Sequence, residues 1–327
     1  VTVPTEAPSG ARGGRPVLEP IATADGRFAV LAIDQRRSVV AALERHGLAS
    51  APADVTRFKL EVCQALAPGA SAVLLDPDYG LGPALRAGVV PPGVGVLVTQ
   101  ETETPRELGG GRLSTRHPGR DAAFVARSGG QAAKLLVWLR PDRPRGPGEA
   151  DLVAETLALV GTAVADCRAA GLACVVEALG YPLPGEAPLG PEARAAVVVE
   201  SARLLAGAGP DLLKLEYPGS PAGCRRVTDA VGLPWALLSA GVGFDEFHGN
   251  LRVAMDAGAS GFIAGRAIWK EAMGLDGHER VAFLDGVARG RLDACVRAME
   301  GRGRPFAEAA RAAGAPVPAA GGGSERR

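Results

Sequence analysis

Eight short apolar runs recur along the chain, at residues 28–35, 72–78, 93–101, 132–139, 173–180, 212–218, 235–241 and 261–267. Each leads into a turn rich in Gly, Pro or Asp and then into an Ala/Leu/Arg-rich stretch with helical period. The runs are too continuously apolar to have a wet face, which is the pattern of parallel strands covered by helices, and the intervals are long enough for crossover helices. Residues 245–257 show the helical period openly: Phe247, Leu251, Ala254 and Met255 share a face, Asp245 stands at the N-cap and Gly258 at the stop. Eight β-then-α units predict an α/β fold, a single (β/α)8 TIM barrel. A doubly wound open sheet would carry a Gly-x-Gly-x-x-Gly turn after the first strand, where this chain reads Asp34-Gln-Arg-Arg-Ser38. Gly109-Gly-Gly111 and the stretch holding Gly146 and Gly148 read as loops. Residues 1–16 and 316–327 have no apolar period and are predicted to be disordered, which leaves 17–315 as the barrel domain.

A lysine interrupts one of the most apolar runs. In Asp211-Leu-Leu-Lys-Leu-Glu-Tyr-Pro218, alternation sends Lys214 and Glu216 to one face together. A buried ammonium costs several kcal/mol unless it is paired or neutral. Only four of the 36 basic residues are lysines, Lys59, Lys134, Lys214 and Lys270, so arginine serves wherever a plain positive charge is enough. Lys134 and Lys214 are the two in strand-like runs, and arginine could not replace a lysine whose task is to lose its proton. A lysine that snorkels from a strand end and pairs with Glu216 is the plain structural alternative.

In a barrel the site lies at the carboxyl ends of the strands. The polar residues there are Asp34, Gln35 and Arg36 on the first run, Asp76 and Asp78 on the second, Gln100 and Glu101 on the third, Lys134 on the fourth, Glu177 on the fifth, Lys214 and Glu216 on the sixth, Ser239 on the seventh and Arg266 on the eighth. Asp76 and Asp78, either side of Pro77, also suit a turn.

Composition removes several classes. Acidic and basic residues balance at 36 each, so there is no basic field for nucleic acid or an anionic membrane. No run approaches the ~18 apolar residues of a membrane span, and five scattered cysteines read as reduced core thiols; a cytoplasmic protein is expected. None of the four histidines falls at a strand end or at ligand spacing, so no metal site is expected. A Gly-x-Ser-x-Gly elbow is missing as well. What remains is carbonyl chemistry by a neutral lysine, helped by a second ammonium and a desolvating pocket, because a lysine of pKa about 10.4 is almost wholly protonated at pH 7. Ser239-Ala-Gly-Val-Gly243 and Gly265-Arg-Ala-Ile-Trp269, after the last two strands, offer backbone N–H groups and Arg266 to an anion.

Ala32-Ile-Asp-Gln-Arg36, Leu74-Leu-Asp-Pro-Asp-Tyr-Gly80, Ala133-Lys-Leu-Leu136, Asp211-Leu-Leu-Lys-Leu-Glu216, Leu238-Ser-Ala-Gly-Val242 and Gly265-Arg-Ala-Ile-Trp269 together resemble the class I tagatose 1,6-bisphosphate aldolase family, which includes sulfofructose-phosphate aldolases. The resemblance implies that Lys214 forms a Schiff base, that Lys134 assists it, that Glu177 is the acid/base carboxylate, and that Asp34 and Gln35 line the substrate. Arg36 and Asp76 are expected to join the substrate-binding set, and Ser239, Gly241 and Arg266 are expected to hold a phosphate. It further implies retro-aldol cleavage of a phosphorylated ketose to dihydroxyacetone phosphate and an aldehyde, without a cofactor; a homo-oligomer is expected. Tagatose 1,6-bisphosphate and 6-deoxy-6-sulfofructose 1-phosphate are the alternative substrates. The turn Glu177-Ala-Leu-Gly-Tyr-Pro stands where the family has Glu-Pro-Leu. Two rivals remain: an isomerase using Glu177 and Asp34 without a covalent step, and a metabolite sensor on the same pocket.

Overall fold

The eight apolar runs become eight parallel strands, and almost every residue in them is buried. In this computed structural model, which describes residues 16–312, the strands are β1 (Phe28–Ile33), β2 (Ala72–Leu75), β3 (Gly95–Thr99), β6 (Ala132–Trp138), β7 (Ala173–Leu179), β8 (Leu212–Leu215), β9 (Trp235–Leu238) and β10 (Gly261–Ala264). A small antiparallel hairpin, β4 (Arg106–Leu108) and β5 (Gly111–Leu113), interrupts the series. The eight close in the order β1-β10-β9-β8-β7-β6-β3-β2, with β1 paired to both β10 and β2. This is a TIM barrel, as the repeat predicts.

The covering helices are α1 (Arg37–Arg45), α2 (Pro52–Leu66), α3 (Leu81–Ala87), α4 (Ala122–Arg127), α5 (Leu152–Ala170), α6 (Pro191–Gly207), α7 (Pro221–Val231), α8 (Phe244–Asp256), α9 (Arg266–Trp269), α10 (Gly277–Phe283), α11 (Arg289–Met299) and α12 (Phe306–Ala312). Helix α8 buries Phe247, Leu251, Ala254 and Met255, the face read from its period. Its N-cap is Gly243 instead of Asp245, which lies in the first turn, where a carboxylate still favours the helix dipole. Among the described residues no helix is long and apolar enough to cross a membrane.

Alternation along the strands divides the core. Outward residues pack under the helices, while Val30, Ala32, Leu74, Leu97, Ala132, Val175, Leu212 and Ile263 belong to the cluster that fills the barrel. The amino-terminal end is closed by Leu18 and Ile21 of a 3-10 turn over Pro16–Ile21, and by Phe306, whose ring centroid is 6.0 Å from that of Phe28. A Cβ on residue 95 would stand 2.2 Å from the Pro20 carbonyl oxygen, so Gly95 is what lets that turn lie against β3. Among the described residues the barrel interior opens at its carboxyl end.

Three sequence readings change. Gly109 and Gly110 form the turn of the β4–β5 hairpin, both at positive φ (53° and 72°), as a two-residue turn that matches strand twist requires. Pro16 belongs to the 3-10 turn, and the rest of both predicted tails lies outside the described residues. Alanine in place of proline after Glu177 coincides with a strand that runs on to Leu179, paired with Trp138 of β6.

Candidate active site

Two residues beyond the last apolar inward position, several strands carry a charge. Ala32 is followed by Asp34, Ala132 by Lys134, Val175 by Glu177 and Leu212 by Lys214, each on the inward face by period-2 alternation. Register brings them level: Glu177 pairs directly with Lys214 across β7 and β8, and Thr99 with Lys134 across β3 and β6. The result is a cavity of about 160 Å³ at the barrel mouth. Asp34, Gln35, Arg36, Glu101, Lys134, Glu177, Lys214 and Arg266 supply its polar wall, and Leu136, Trp138 and Leu179 its apolar one.

One carboxylate oxygen sits between both lysines. Glu177 Oε2 is 2.7 Å from Lys134 Nζ and 2.9 Å from Lys214 Nζ. It is close enough for ion pairing with both, yet neither ammonium is aligned to give it a hydrogen bond. Lys134 Nζ donates instead to Glu101 Oε1 at 2.7 Å and Asp34 Oδ2 at 3.1 Å. The second Glu101 oxygen accepts the Leu136 N–H at 3.1 Å, which fixes the carboxylate across the barrel mouth. Asp34 Oδ1 accepts from Gln35 Nε2 at 3.2 Å. Three carboxylates thus surround the Lys134 ammonium.

Burial penalises every charge here, but the neighbours outweigh it. It pushes the Asp34 carboxyl up, while Lys134 and Lys214 pull it further the other way, so the net shift is downward. Glu177 is likewise raised by burial and brought below its ordinary value by the same two ammoniums. Burial lowers the pKa of Lys134, yet Glu101, Glu177 and Asp34 together hold it well above the usual lysine value. Lys134 is therefore a permanent cation at neutral pH.

Not every sequence candidate joins the cavity. Asp76 is fully buried, ion-paired to Lys59, and accepts the N–H groups of Asp78 and Tyr79 at 3.0 and 2.8 Å; it caps the turn after β2 and does not face the opening. Ser239 lines a separate cavity of about 440 Å³ with Arg194, Glu216 and Tyr217. Gly241 lies against Arg266 from behind: a Cβ there would be 3.3 Å from the Arg266 guanidinium carbon. Arg266 itself lines the cavity and has no ion-pair partner among the described residues. Glu216 parts from Lys214 because β8 ends at Leu215 and alternation lapses; it accepts the Gly180 N–H at 2.8 Å, and burial pushes its carboxyl up. The partner of Lys214 is Glu177 and not Glu216.

Glu101 was visible as a strand-end carboxylate, but its tie to Lys134 depends on how β3 stands beside β6. Trp138 and Leu179 had no sequence signal beyond apolarity. The four histidines line no part of the cavity, and no group of three or more His, Cys, Asp or Glu among the described residues is arranged to hold a metal.

Residues 28–271 match the family model described as DeoC/LacD family aldolase. Tagatose 1,6-diphosphate aldolase of Listeria monocytogenes serotype 4a (strain HCC23) is 29% identical over 290 residues, covering 80% of this chain and 83% of its own length. Tagatose 1,6-diphosphate aldolase 2 of Streptococcus pyogenes serotype M1 is 27% identical over 272 residues, covering 75% and 81%. Among solved structures, fructose-bisphosphate aldolase from Plasmodium falciparum superposes with a TM-score of 0.67 at 15% identity, covering 89% of this chain and 94% of its own. An archaeal fructose-1,6-bisphosphate aldolase, solved with its catalytic lysine bound to the carbinolamine intermediate, gives 0.59 at 16% identity, with 86% and 98% covered. At such identities the likeness to solved structures speaks for the fold alone.

Proposed function

The chain belongs to the DeoC/LacD family of aldolases, which are lyases, and we propose that it cleaves a phosphorylated ketose through a Schiff base on Lys214. The observation that carries this reading is the meeting of Lys214 Nζ, Lys134 Nζ and Glu177 Oε2 in one cavity, at 2.9 and 2.7 Å. Lys214 gives a proton to Glu177 Oε2 and attacks the ketone carbon; Glu177 returns that proton to the carbinolamine hydroxyl, which leaves as water to form an iminium and frees the carboxylate for the next step. The C3–C4 bonding electrons form the C2=C3 bond of an enamine as the iminium π pair moves onto nitrogen, while Glu177 Oε2 takes the C4 hydroxyl proton and the aldehyde departs. Glu177 returns that proton to C3, and water then hydrolyses the iminium and releases dihydroxyacetone phosphate. The sequence reading looked to a second ammonium to hold the Lys214 pKa down; the Glu177 oxygen 2.9 Å away supports a carboxylate as the acceptor of its proton. Lys134 acts as the fixed cation that keeps Glu177 ionised until the proton arrives.

The names of the curated relatives favour tagatose 1,6-bisphosphate as substrate, with 6-deoxy-6-sulfofructose 1-phosphate the alternative. Initial rates with tagatose, fructose and sulfofructose phosphates decide between them, and turnover of none of these would favour a sensor. Arg266, without an ion-pair partner among the described residues and in contact with Gly241, suits one phosphate. Arg266→Ala is expected to weaken ketose-phosphate binding by about 2–4 kcal/mol, raising KM at least tenfold. An unchanged KM would move the phosphate elsewhere. Cleavage is also expected to persist in EDTA, since every step above uses side chains of this chain; loss on chelation with recovery on Zn²⁺ would overturn the mechanism.

A further inference from the structure

Four lysines among 36 basic residues is a low count, and all four converge on the carboxyl end of the barrel. Lys134 and Lys214 line the cavity; Lys59 and Lys270 do not. Lys59, from α2, is 1% exposed, and its three ammonium protons have three acceptors: Ile33 O at 2.7 Å, Gln35 O at 2.6 Å and the Asp76 carboxylate. The two carbonyls flank Asp34, whose carboxylate meets Lys134. A compact tetrahedral ammonium suits three convergent acceptors, whereas a planar guanidinium cannot aim at all of them from one point.

Lys270, half-buried just after α9, donates to Gly241 O and Val242 O, each at 3.1 Å. The carbonyl and N–H of one trans peptide point in opposite directions. Holding those two carbonyls therefore turns the Val242 and Gly243 N–H groups away from Lys270; that of Val242 bonds to Ser239 O at 3.1 Å. The same turn contains Ala240 at φ 47°, the one non-glycine residue with positive φ among the described residues, a conformation that persists only where neighbours enforce it.

We propose that Lys59 and Lys270 are positioning residues: Lys59 sets the turn that carries Asp34 and Gln35, and Lys270 sets the Ala240–Val242 turn behind Arg266. Both act through backbone carbonyls, and at Lys59 the three convergent acceptors explain why lysine stands there in place of arginine. The Lys270 half rests on the phosphate assignment to Arg266 made above.

The test uses borohydride trapping of dihydroxyacetone phosphate, with inorganic phosphate as competitor, beside steady-state cleavage. Lys270→Met should raise the inhibition constant of phosphate and the KM of the ketose phosphate in parallel, about tenfold, with kcat changed less than about threefold. Lys270→Arg, which retains two donors for the carbonyls, should restore most of the loss. Lys59→Met combined with Asp76→Asn leaves no unpaired buried charge and keeps an acceptor for the turn N–H groups. It should lower kcat about 30-fold and shift the pH profile of trapping, with phosphate inhibition unchanged. Asp76→Asn alone, keeping Lys59 on both carbonyls, should retain most activity. A lower Tm with unaltered kcat, pH profile and phosphate inhibition would reduce both lysines to packing. If Arg266→Ala raises the phosphate inhibition constant and Lys270→Met does not, the positioning role of Lys270 fails; if neither raises it, the phosphate assignment itself is wrong.

Discussion

Lys214→Arg should fold as the parent does and lose cleavage by at least about three orders of magnitude. The guanidinium retains a positive charge beside Glu177 Oε2, so the ion pair at 2.9 Å has a replacement. It cannot shed its proton at any pH the protein survives, and without a lone pair there is no attack on the ketone. Borohydride trapping with dihydroxyacetone phosphate, followed by tryptic mass spectrometry, should place the adduct on Lys214 in the parent and nowhere in this variant. Lys134→Arg should still be labelled on Lys214, more slowly and with a changed pH profile. An adduct on Lys134 in the parent would exchange the two roles. No adduct on either lysine would sink the Schiff-base reading and revive the isomerase.

Lys134→Met should cost the protein about 3–5 kcal/mol of stability at neutral pH as well as most of its activity. The ammonium contacts Asp34, Glu101 and Glu177, and its side chain is 1% exposed. Removing it leaves three buried carboxylates, of which only Glu177 is ion-paired to the remaining lysine of the cavity, Lys214. In the parent, Asp34 and Glu177 titrate below their ordinary values, so their contribution is complete above about pH 4–4.5 and is lost as pH falls through the folded values. Lys134 titrates above its ordinary value, so its contribution is complete below about pH 10.4 and is lost as pH rises further. The cluster is thus intact from about pH 5 to 10. In the variant a carboxylate relieves the repulsion by taking up a proton, so urea unfolding should show a smaller difference from the parent at pH 5 than at pH 7.5. An equal difference at both would mean that the loss is one of packing and not of charge.

The barrel and much of the site were legible in the order of residues. Continuous apolar runs at crossover spacing are a local property, and they specify parallel strands covered by helices before any contact is known. A polar residue at the carboxyl end of an apolar run is equally local, which is why Asp34, Lys134, Glu177 and Lys214 could be grouped from their positions alone. Strand ends were less legible: once β8 stops at Leu215 the alternation no longer applies, and Glu216 turns to the Gly180 N–H. Which charges meet followed from the folded arrangement. Glu101 reaches Lys134 because β3 and β6, with a hairpin between them in sequence, are neighbours in the ring. Asp76 is taken by Lys59 because α2 packs against β1 and carries the lysine to the turn after β2, so a carboxylate that alternation assigns to the opening serves the turn instead. Pairings of this kind depend on strand register and helix placement, which long-range packing sets and no window of sequence contains.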